Sequence, residues 1–461
     1  MNGKLFYWSI VSALAGFLFG FDTVVISGAE KSIQALWELP PIAHGLAISA
    51  ALWGTVLGAV VGAYPTDSLG RRKTLVAIGV LYFLSAVWSA LAGGVYAFGI
   101  ARFIGGVGVG ISTVAAPLYI SEIAPAHLRG RLACLFQFNI VLGILIAFAS
   151  NAVLGNLGES SWRWMLAVEA IPALIYTALA WTLPESPRWL ISVAHRDDDA
   201  KRVYRMIQSE ADEQAAETFV AEVRTASQAK ASGTLWGSGL RKPISIAFLV
   251  AFFNQMSGIN AILYFAPRIF EMTGLGDDAA RLQSIGIGVI NLMFTFLGLY
   301  LIDRLGRRTL LIIGSLGYIA SLGLCAATFA IHRDTFAAAI GSSGGDTGVP
   351  GKLVLISIFA FIAAHAIGQG AVIWVLISEI FPNRFRAAGQ SLGSATHWVF
   401  AALLTLVFPT MVVWFPPSIV FGFFAVMMTI QLVWVLGFVP ETKGVPLEEL
   451  SRRLGIEASG D

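Results

Sequence analysis

The chain has 461 residues, of which 56% are hydrophobic and only 13% are charged, and its mean hydropathy is +0.75. This composition excludes a soluble globular protein, and the net charge of +2 indicates no nucleic acid or other acidic partner beyond the anionic leaflet of a membrane. Both cysteines, Cys134 and Cys325, lie in apolar runs, so neither a disulfide framework nor a metal site is expected.

Apolar runs long enough to cross a bilayer, which takes roughly 20 residues, recur along the whole chain. Helices and closed barrels are the only spanning structures that satisfy their own backbone, and these runs lack the alternation of barrel strands. The sequence therefore predicts twelve transmembrane helices, at about 6–30, 42–65, 73–93, 95–120, 130–154, 162–183, 243–271, 281–302, 309–331, 352–381, 387–413 and 416–439.

The distribution of basic residues predicts the orientation of these helices. Most of the 30 Lys and Arg residues fall in loops on the side of the N-terminus, and such loops are cytoplasmic. Twelve spans place the C-terminus on that side too. The first run carries Asp22 and lacks a small-residue cleavage site, so we expect it to stay as a membrane helix and not to be a removed signal peptide.

Three ionisable side chains lie inside the apolar runs of the first half, namely Asp22, Arg102 and Glu169. A charge at membrane depth costs at least ~2.5–3.5 kcal/mol, so it is rarely kept without a partner or a function. Two acids and one base indicate a proton or ion site. The alternative is a static buried ion pair that only fixes helix packing.

The loop motifs occur twice, in the same order. DSLGRR at 67–72 returns as DRLGRR at 303–308, SEIAPAHLRG at 121–130 returns as SEIFPNRFRA at 378–387, and PESPRW at 184–189 returns weakly as PETKGV at 440–445. This repetition predicts two six-helix bundles. The predicted parts are an N-terminal bundle at 1–190, a cytoplasmic helical linker at 191–241, a C-terminal bundle at 242–440 and a cytoplasmic tail at 441–461.

These motifs resemble the sugar porter branch of the major facilitator superfamily, over nearly the whole chain. The most specific are PESPRWL at 184–190 and GINAILYFAP at 258–267, whereas one D-x-x-G-R-R loop alone would indicate only the superfamily. The resemblance implies an all-α membrane protein in which two six-helix bundles hold a central sugar site that opens alternately to each side.

Acidic and basic residues recur together in the repeated loops, as expected of a charge latch that stabilises one of two states. By resemblance, the inner gate consists of Asp67, Arg71, Arg72, Glu122, Arg129, Arg131, Asp303, Arg307, Arg308, Glu379, Arg384 and Arg386. The alternative is that these residues are topology signals alone, because Arg and Lys belong on the inner side anyway. The resemblance also implies that Asp22 carries a coupling proton that Arg102 modulates, with Glu169 as a second candidate carrier.

A sugar needs amides for its hydroxyl groups and aromatic faces for its C–H surface. By resemblance, the site is lined by Phe19, Gln137, Asn254, Gln255, Asn260, Tyr264, Asn291, His365, Trp374 and His397. Buried amides can also simply join membrane helices. Three amides in FNQMSGIN at 253–260, beside Gly258, where a helix can bend, favour the sugar site.

His365 and His397 stand where the family often has an aromatic residue and an amide, and fructose-transporting animal relatives carry His at matching places. Trp374 is kept, as in glucose- and xylose-type members. We therefore expect import of a monosaccharide with protons across a bacterial inner membrane, with fructose a modest favourite over glucose, galactose or xylose. Uniport without protons and a non-transporting sugar receptor are the alternatives. We expect no enzyme, cofactor or nucleotide, because no phosphate-cradling loop or catalytic cluster occurs.

Overall fold

The computed structural model describes residues 3–125, 128–208, 212–228, 239–341, 347–382 and 385–445. These residues form helices and connecting turns, and none of them lies in a strand. Twelve helical spans of the described chain are long and apolar enough to cross a membrane. This confirms the predicted all-α, multi-pass membrane protein.

The helices before residue 239 comprise six of these spans, the short helix α3 between the second and third spans, and three helices that follow the sixth span. They are α1 (Gly3–Leu36), α2 (Pro41–Val61), α3 (Ala63–Ser68), α4 (Arg71–Leu91), α5 (Val95–Ile123), α6 (Arg129–Leu154), α7 (Ser161–Ala167), α8 (Ala170–Trp181), α9 (Pro187–Ser192), α10 (Asp197–Ile207) and α11 (Glu213–Gln228).

The remaining helices comprise the other six spans. They are α12 (Arg241–Met256), α13 (Ile259–Tyr264), α14 (Ala266–Glu271), α15 (Asp277–Leu305), α16 (Arg307–Ile331), α17 (Arg333–Gly341), α18 (Val349–Ile367), α19 (Gln369–Ile380), α20 (Arg386–Trp414) and α21 (Pro417–Phe438). Of the predicted tail, only 441–445 lies within the described residues.

Three spans are interrupted near their middle, and each interruption separates two helices of one span. Glu169 precedes α8, Gly258 precedes α13 and Gly368 precedes α19. Gly258 has a φ of +88° and leaves no room for a Cβ atom, which would lie 2.8 Å from the Phe424 ring. The bend at Gly258 is the one that the sequence analysis predicts, whereas the other two lie inside runs that it treats as single continuous spans.

The chain forms two compact units that do not follow the order of the sequence. The first unit contains 1–22, 50–144 and 166–232, and the second contains 23–49, 145–165 and 233–461. The last turns of α1 and the first turns of α2 therefore belong to the same unit as the helices of the second half.

Glycines in α5 allow it to approach the backbone of α2 closely. A Cβ on Gly106 would lie 1.8 Å from the carbonyl oxygen of Ala51, and one on Gly110 would lie 2.4 Å from that of Thr55. Small residues at such positions are how membrane helices reach close packing without a hydrophobic driving force. This packing fixes α5, which carries Arg102 in its first half.

Candidate functional site

The first unit contains a buried ion pair between α1 and α5. Arg102 Nη1 donates to Asp22 Oδ1 at 2.5 Å, and Nη2 donates to the backbone oxygen of Asp22 at 3.0 Å. The Asp22 side chain is only 2% exposed, and the Arg102 side chain is 1% exposed. Gly105 keeps this place open, because its Cβ would lie 2.3 Å from Ser85 Oγ and 3.9 Å from Asp22 Oδ1.

Glu169 lies beside this pair at the break between α7 and α8, so the structure brings the three intramembrane charges together. Glu169 is buried and close enough to Asp22 and Arg102 for their charges to interact. Among the described residues its Oε1 atom has no hydrogen-bond partner. The buried Tyr82 is also within range of both carboxyl groups. The cluster therefore contains two acidic side chains and one arginine, and all three are buried.

The second unit contains a cluster of amides around the helix break at Gly258. Asn260 Nδ2 donates to Gln255 Oε1 at 2.7 Å, and Gln255 Nε2 donates to Asn254 Oδ1 at 2.9 Å. The left-handed conformation of Gly258 turns the chain so that the end of α12 and the start of α13 present their amides to each other. All three amide side chains are buried.

Aromatic and imidazole rings adjoin these amides. Gln255 Nε2 lies 3.2 Å from ring nitrogens of His397, and the His397 ring centroid lies 5.1 Å from that of Trp374. His365 bonds elsewhere: its Nδ1 lies 2.7 Å from the hydroxyl oxygen of the buried Tyr318. The sequence did not single out Tyr318, because a tyrosine in an apolar span gives no pattern that marks it as the partner of a histidine.

The hydrogen bonds and ring contacts described above do not include the other residues predicted for the sugar site. Asn291 accepts from Thr295 of its own helix, at 3.5 Å, and Tyr264 is buried at the end of α13. Phe19 and Gln137 are half-buried and belong to the first unit. Their contribution to a sugar site stays a prediction.

In the first unit, Arg71 joins the charged loop motifs. Its guanidinium donates twice to Glu122, at 2.8 and 2.9 Å, and once to Asp67, at 3.0 Å. Arg72 Nη2 donates to the carbonyl oxygen of Trp181 at 2.7 Å, and Arg131 is exposed. The side chain of Arg129 lies outside the described part of the chain.

In the second unit, Arg307 takes the corresponding place. It donates to Glu379 at 2.8 Å and lies 3.2 Å from Asp303. Arg308 donates to the carbonyl oxygen of Leu436 at 2.6 Å, and Arg386 donates to that of Ser378 at 2.9 Å. Arg384 lies outside the described residues. The first two arginine positions of the loops and their acidic partners are thus paired in the same way in both repeats, each set within one unit.

Two further carboxylates complete this arrangement, and the sequence analysis did not assign them a role. Glu185 accepts from the backbone N–H groups of Arg71 and Arg72, and Glu441 accepts from those of Arg307 and Arg308. Burial raises the pKa of Glu185 above its usual value, and its backbone hydrogen bonds offset this only in part. Burial also acts to raise the pKa of Glu441, but four backbone N–H donors outweigh it and lower that pKa.

The sequence does carry a sign of these two residues, because Pro-Glu occurs in both the PESPRW and the PETKGV motif. In each repeat this Glu accepts from the backbone N–H groups of the two arginines of the D-x-x-G-R-R loop. Within the described residues, no group of three or more His, Cys, Asp or Glu side chains could hold a metal ion.

The sequence matches the family described as "Sugar (and other) transporter" over residues 8–454. It is 35% identical to the D-xylose-proton symporter of Escherichia coli (strain K12), covering 97% of this chain and 95% of that protein. It is 34% identical to the arabinose-proton symporter of Bacillus subtilis (strain 168), covering 96% and 94%. It is 33% identical to the glucose transport protein of Synechocystis sp. (strain ATCC 27184 / PCC 6803 / Kazusa), covering 95% of each.

The fold is similar to that of solved transporters. A partially occluded inward open conformation of the xylose transporter XylE from E. coli aligns with a TM-score of 0.83 at 33% identity, covering 96% of this chain and 100% of that one. A structure of the proton:xylose symporter XylE bound to 6-bromo-6-deoxy-D-glucose aligns with a TM-score of 0.75, covering 98% and 100%.

Proposed function

Because the chain belongs to the sugar porter family of the major facilitator superfamily, we propose that it imports a monosaccharide together with protons by alternating access. The observation that supports coupling is the buried cluster of Asp22, Arg102 and Glu169. Three relatives of the chain are known as proton symporters, one each for D-xylose, arabinose and galactose.

Charge counting supports a proton at this cluster. With both acids ionised, Asp22, Glu169 and Arg102 carry a net charge of −1, and a buried net charge is costly. One proton makes the cluster neutral. The buried Oε1 atom of Glu169 has no hydrogen-bond partner among the described residues, so it is free to take up that proton. A movement of α5 that withdraws Arg102 from Asp22 would change how strongly the cluster holds that proton. The cluster can therefore load and release a proton as the helices move.

The amide cluster of the second unit is our candidate for the sugar-binding groups. Asn260 Nδ2 donates to Gln255 Oε1, and a sugar hydroxyl placed between the two can accept from Nδ2 and donate to Oε1, so that neither amide is left unpaired. Trp374 and His397 supply adjacent ring faces for the C–H surface of a sugar. We propose that His365 and His397 set which monosaccharide is preferred, with fructose favoured over glucose, galactose and xylose.

We further propose that the protein resides in a bacterial inner membrane with both termini in the cytoplasm. The basic loops on the side of the N-terminus support this orientation. The bilayer, the sugar and protons are then its partners, and the proposal requires neither nucleic acid nor a nucleotide.

The test is uptake of labelled sugars into proteoliposomes with and without an imposed proton gradient. The panel contains fructose, glucose, galactose and xylose. For the symporter, the gradient should drive accumulation of at least one sugar above its external concentration. Equilibration without accumulation would make the protein a uniporter, and binding without flux would make it a receptor.

The variant Asp22→Asn identifies the proton carrier. It keeps the shape and a hydrogen-bond acceptor for Arg102 but cannot carry a charge. We expect it to lose accumulation while sugar counterflow, which needs no net proton movement, persists. A matched variant, Glu169→Gln, examines the second candidate. If Asp22→Asn still concentrates sugar, Asp22 is not the carrier.

A further inference from the structure

A second buried cluster of charges lies in the second unit, at the opposite end of its helices from the DRLGRR loop, because α15 begins beside the cluster at Asp277 and ends at that loop. It consists of Glu30 and Gln34 near the end of α1, His44 in the first turn of α2, and Arg268 in α14. Neither the proton cluster nor the amide cluster uses these residues.

Glu30 is the centre of this cluster, and its side chain is 0% exposed. Arg268 donates to both of its oxygens, from Nε to Oε1 at 2.9 Å and from Nη2 to Oε2 at 2.7 Å. His44 Nε2 lies 2.7 Å from the same Oε2 atom. Because Arg268 donates to both oxygens, we take Glu30 as the acceptor of the bond with His44 Nε2 as well. The Nδ1 atom of His44 is buried and has no partner among the described residues.

Gln34 extends the cluster along the same face of α1, one turn beyond Glu30. Its Oε1 accepts from Arg268 Nη2 at 2.7 Å, and its Nε2 donates to the carbonyl oxygen of Leu39 in the turn before α2. Every hydrogen bond of the Arg268 side chain named here is thus made to α1. A surrounding rim contains Lys31, which pairs with Glu271 and Asp277, but the Lys31 side chain is 41% exposed.

The partners of this cluster come from corresponding places in the two sequence repeats. Glu30 and Arg268 are 238 residues apart. Helix α1 is the first span of the first repeat, and α14 directly follows the first span of the second repeat, Arg241–Tyr264. The loop pairs Arg71–Glu122 and Arg307–Glu379 each stay within one repeat. The Glu30–Arg268 pair is therefore placed to respond when one repeat moves against the other.

The position of Arg268 makes that movement local. It lies in α14, a six-residue helix that the interruption at Phe265 separates from α13, and Gly258 separates α13 from α12. Short segments joined by such breaks can turn without moving the whole span. A buried ion pair adds little net stability over an apolar contact, but it strongly opposes loss of one partner. Such an ion pair suits a contact that alternates between two states, one with both partners paired and one with both exposed to water.

We propose that Glu30, His44 and Arg268 form a gate tie: an ion-pair contact that holds α1, α2 and α14 together at this end and opens once in each transport cycle. Arg268 supplies the bond between the repeats, and His44 is a positioning residue that orients the Glu30 carboxylate toward it. The role in transport rests on the function proposed above, whereas the tie itself does not.

The experiment measures how often the tie opens, in the full chain in detergent. Ser27 lies one turn before Glu30, is buried, and is nearly isosteric with cysteine. Ser27→Cys in a Cys134→Ser, Cys325→Ala background supplies a reporter for a water-soluble maleimide. With Glu30→Gln or Arg268→Gln we expect labelling to be at least fivefold faster than in the parent, because the bidentate pair is lost.

Three comparisons separate the tie from general loosening. Lys31→Gln, which removes the adjacent half-exposed pair, should leave the labelling rate within twofold of the parent. The charge exchange Glu30→Arg with Arg268→Glu should return the rate toward that of the parent. His44→Phe should accelerate labelling, and His44→Gln, which keeps a donor, should accelerate it less.

Two results would overturn the tie: unchanged labelling in both Glu30→Gln and Arg268→Gln, or an equal acceleration in Lys31→Gln. Uptake is measured separately in proteoliposomes. If the parent labels as expected but transports no sugar, the proposed function fails and the tie stands. If sugar is transported and the tie variants label like the parent, the tie fails alone.

Discussion

At the scale of single residues, the polar partners of the candidate site come from far along the chain. His365 and His397 stand out in the sequence as imidazoles in apolar spans. Their partners, Tyr318 and Gln255, are 47 and 142 residues away. Periodicity within one helix carries no information on such pairs, so the sequence predicts the functional side chains but not how each is held.

The selectivity proposal is tested by replacing both histidines. In His365→Phe with His397→Gln, we expect transport to persist and preference to move from fructose toward glucose. Loss of a hydroxyl contact costs ~1–3 kcal/mol, so the preference ratio should change by roughly 5- to 150-fold. The measurement is competition between the two sugars for uptake. His332→Phe, at the end of α16 and apart from the amide cluster, is the matched control.

An unaltered ratio in the double variant would leave the two histidines with a packing role and remove the support for fructose. Tyr318→Phe refines the result. It keeps the ring and releases His365 Nδ1, so it should change the ratio in the same direction but by less.

At the scale of elements, α4 and α16 both begin with a glycine that cannot cap its own helix. Gly70 and Gly306 have φ values of +94° and +92°, and a Cβ on either would lie 2.4–2.5 Å from a carboxyl oxygen of Glu185 or Glu441. These distant carboxylates therefore bind the exposed N–H groups of each helix start. The apolar runs predicted these two helices but not their caps, because Glu185 and Glu441 lie in the loops after the sixth and the twelfth spans.

The opposite pKa shifts of the two caps predict opposite dependences on pH. Glu441, whose pKa is lowered, stabilises the fold above its unfolded-state pKa, and this contribution is lost as the pH falls through its folded-state pKa. Glu185, whose pKa is raised, contributes fully below its unfolded-state pKa and loses that contribution as the pH rises through its folded-state pKa.

We therefore compare Tm between pH 4 and pH 8 for Glu441→Gln and Glu185→Gln in detergent. At neutral pH, Glu441→Gln should cost roughly 1–3 kcal/mol, because a charged acceptor of backbone N–H groups is lost. Its deficit in Tm against the parent should shrink as the pH falls. The deficit of Glu185→Gln should instead grow as the pH falls. Parallel curves for the two variants would contradict the assigned shifts.

At the scale of the whole molecule, apolar runs and repeated loop motifs predicted twelve spans, and the structure confirms them. The sequence analysis did not predict the interruptions at Glu169 and Gly368, because it treated each of these apolar runs as one continuous span. Nor could it predict the Glu30–Arg268 pair. Both residues sit at the ends of long spans, where a charge reads as a membrane boundary and the partner depends on tertiary packing.

In the second unit, the loop charges around Arg307 and the gate tie lie at opposite ends of α15. The repeated loop motifs predict the same cytoplasmic side for the charges around Arg71, so variants of the loops and of the tie should act in opposite directions. Alternating access exchanges two states, and weakening contacts that favour one state shifts the population to the other. Charge reversal in Glu122→Arg faces Arg71 with a second cation and should disfavour closure at the loop end. The end with the tie should then stay closed more of the time.

Labelling of Ser27→Cys measures this shift. In Glu122→Arg we expect labelling to fall several-fold and sugar uptake to slow, whereas Arg268→Gln should accelerate labelling. A tenfold fall corresponds to ~1.4 kcal/mol between the states. The labelling rate of the double variant Glu122→Arg with Arg268→Gln should lie between those of the two single variants, because the shifts offset each other in one equilibrium.

Asp67→Asn is the matched control, since Asp67 binds the same arginine but its side chain is 63% exposed. If labelling and uptake in Glu122→Arg equal those of the parent, the loop charges are topology signals only, and the two ends are not coupled through them.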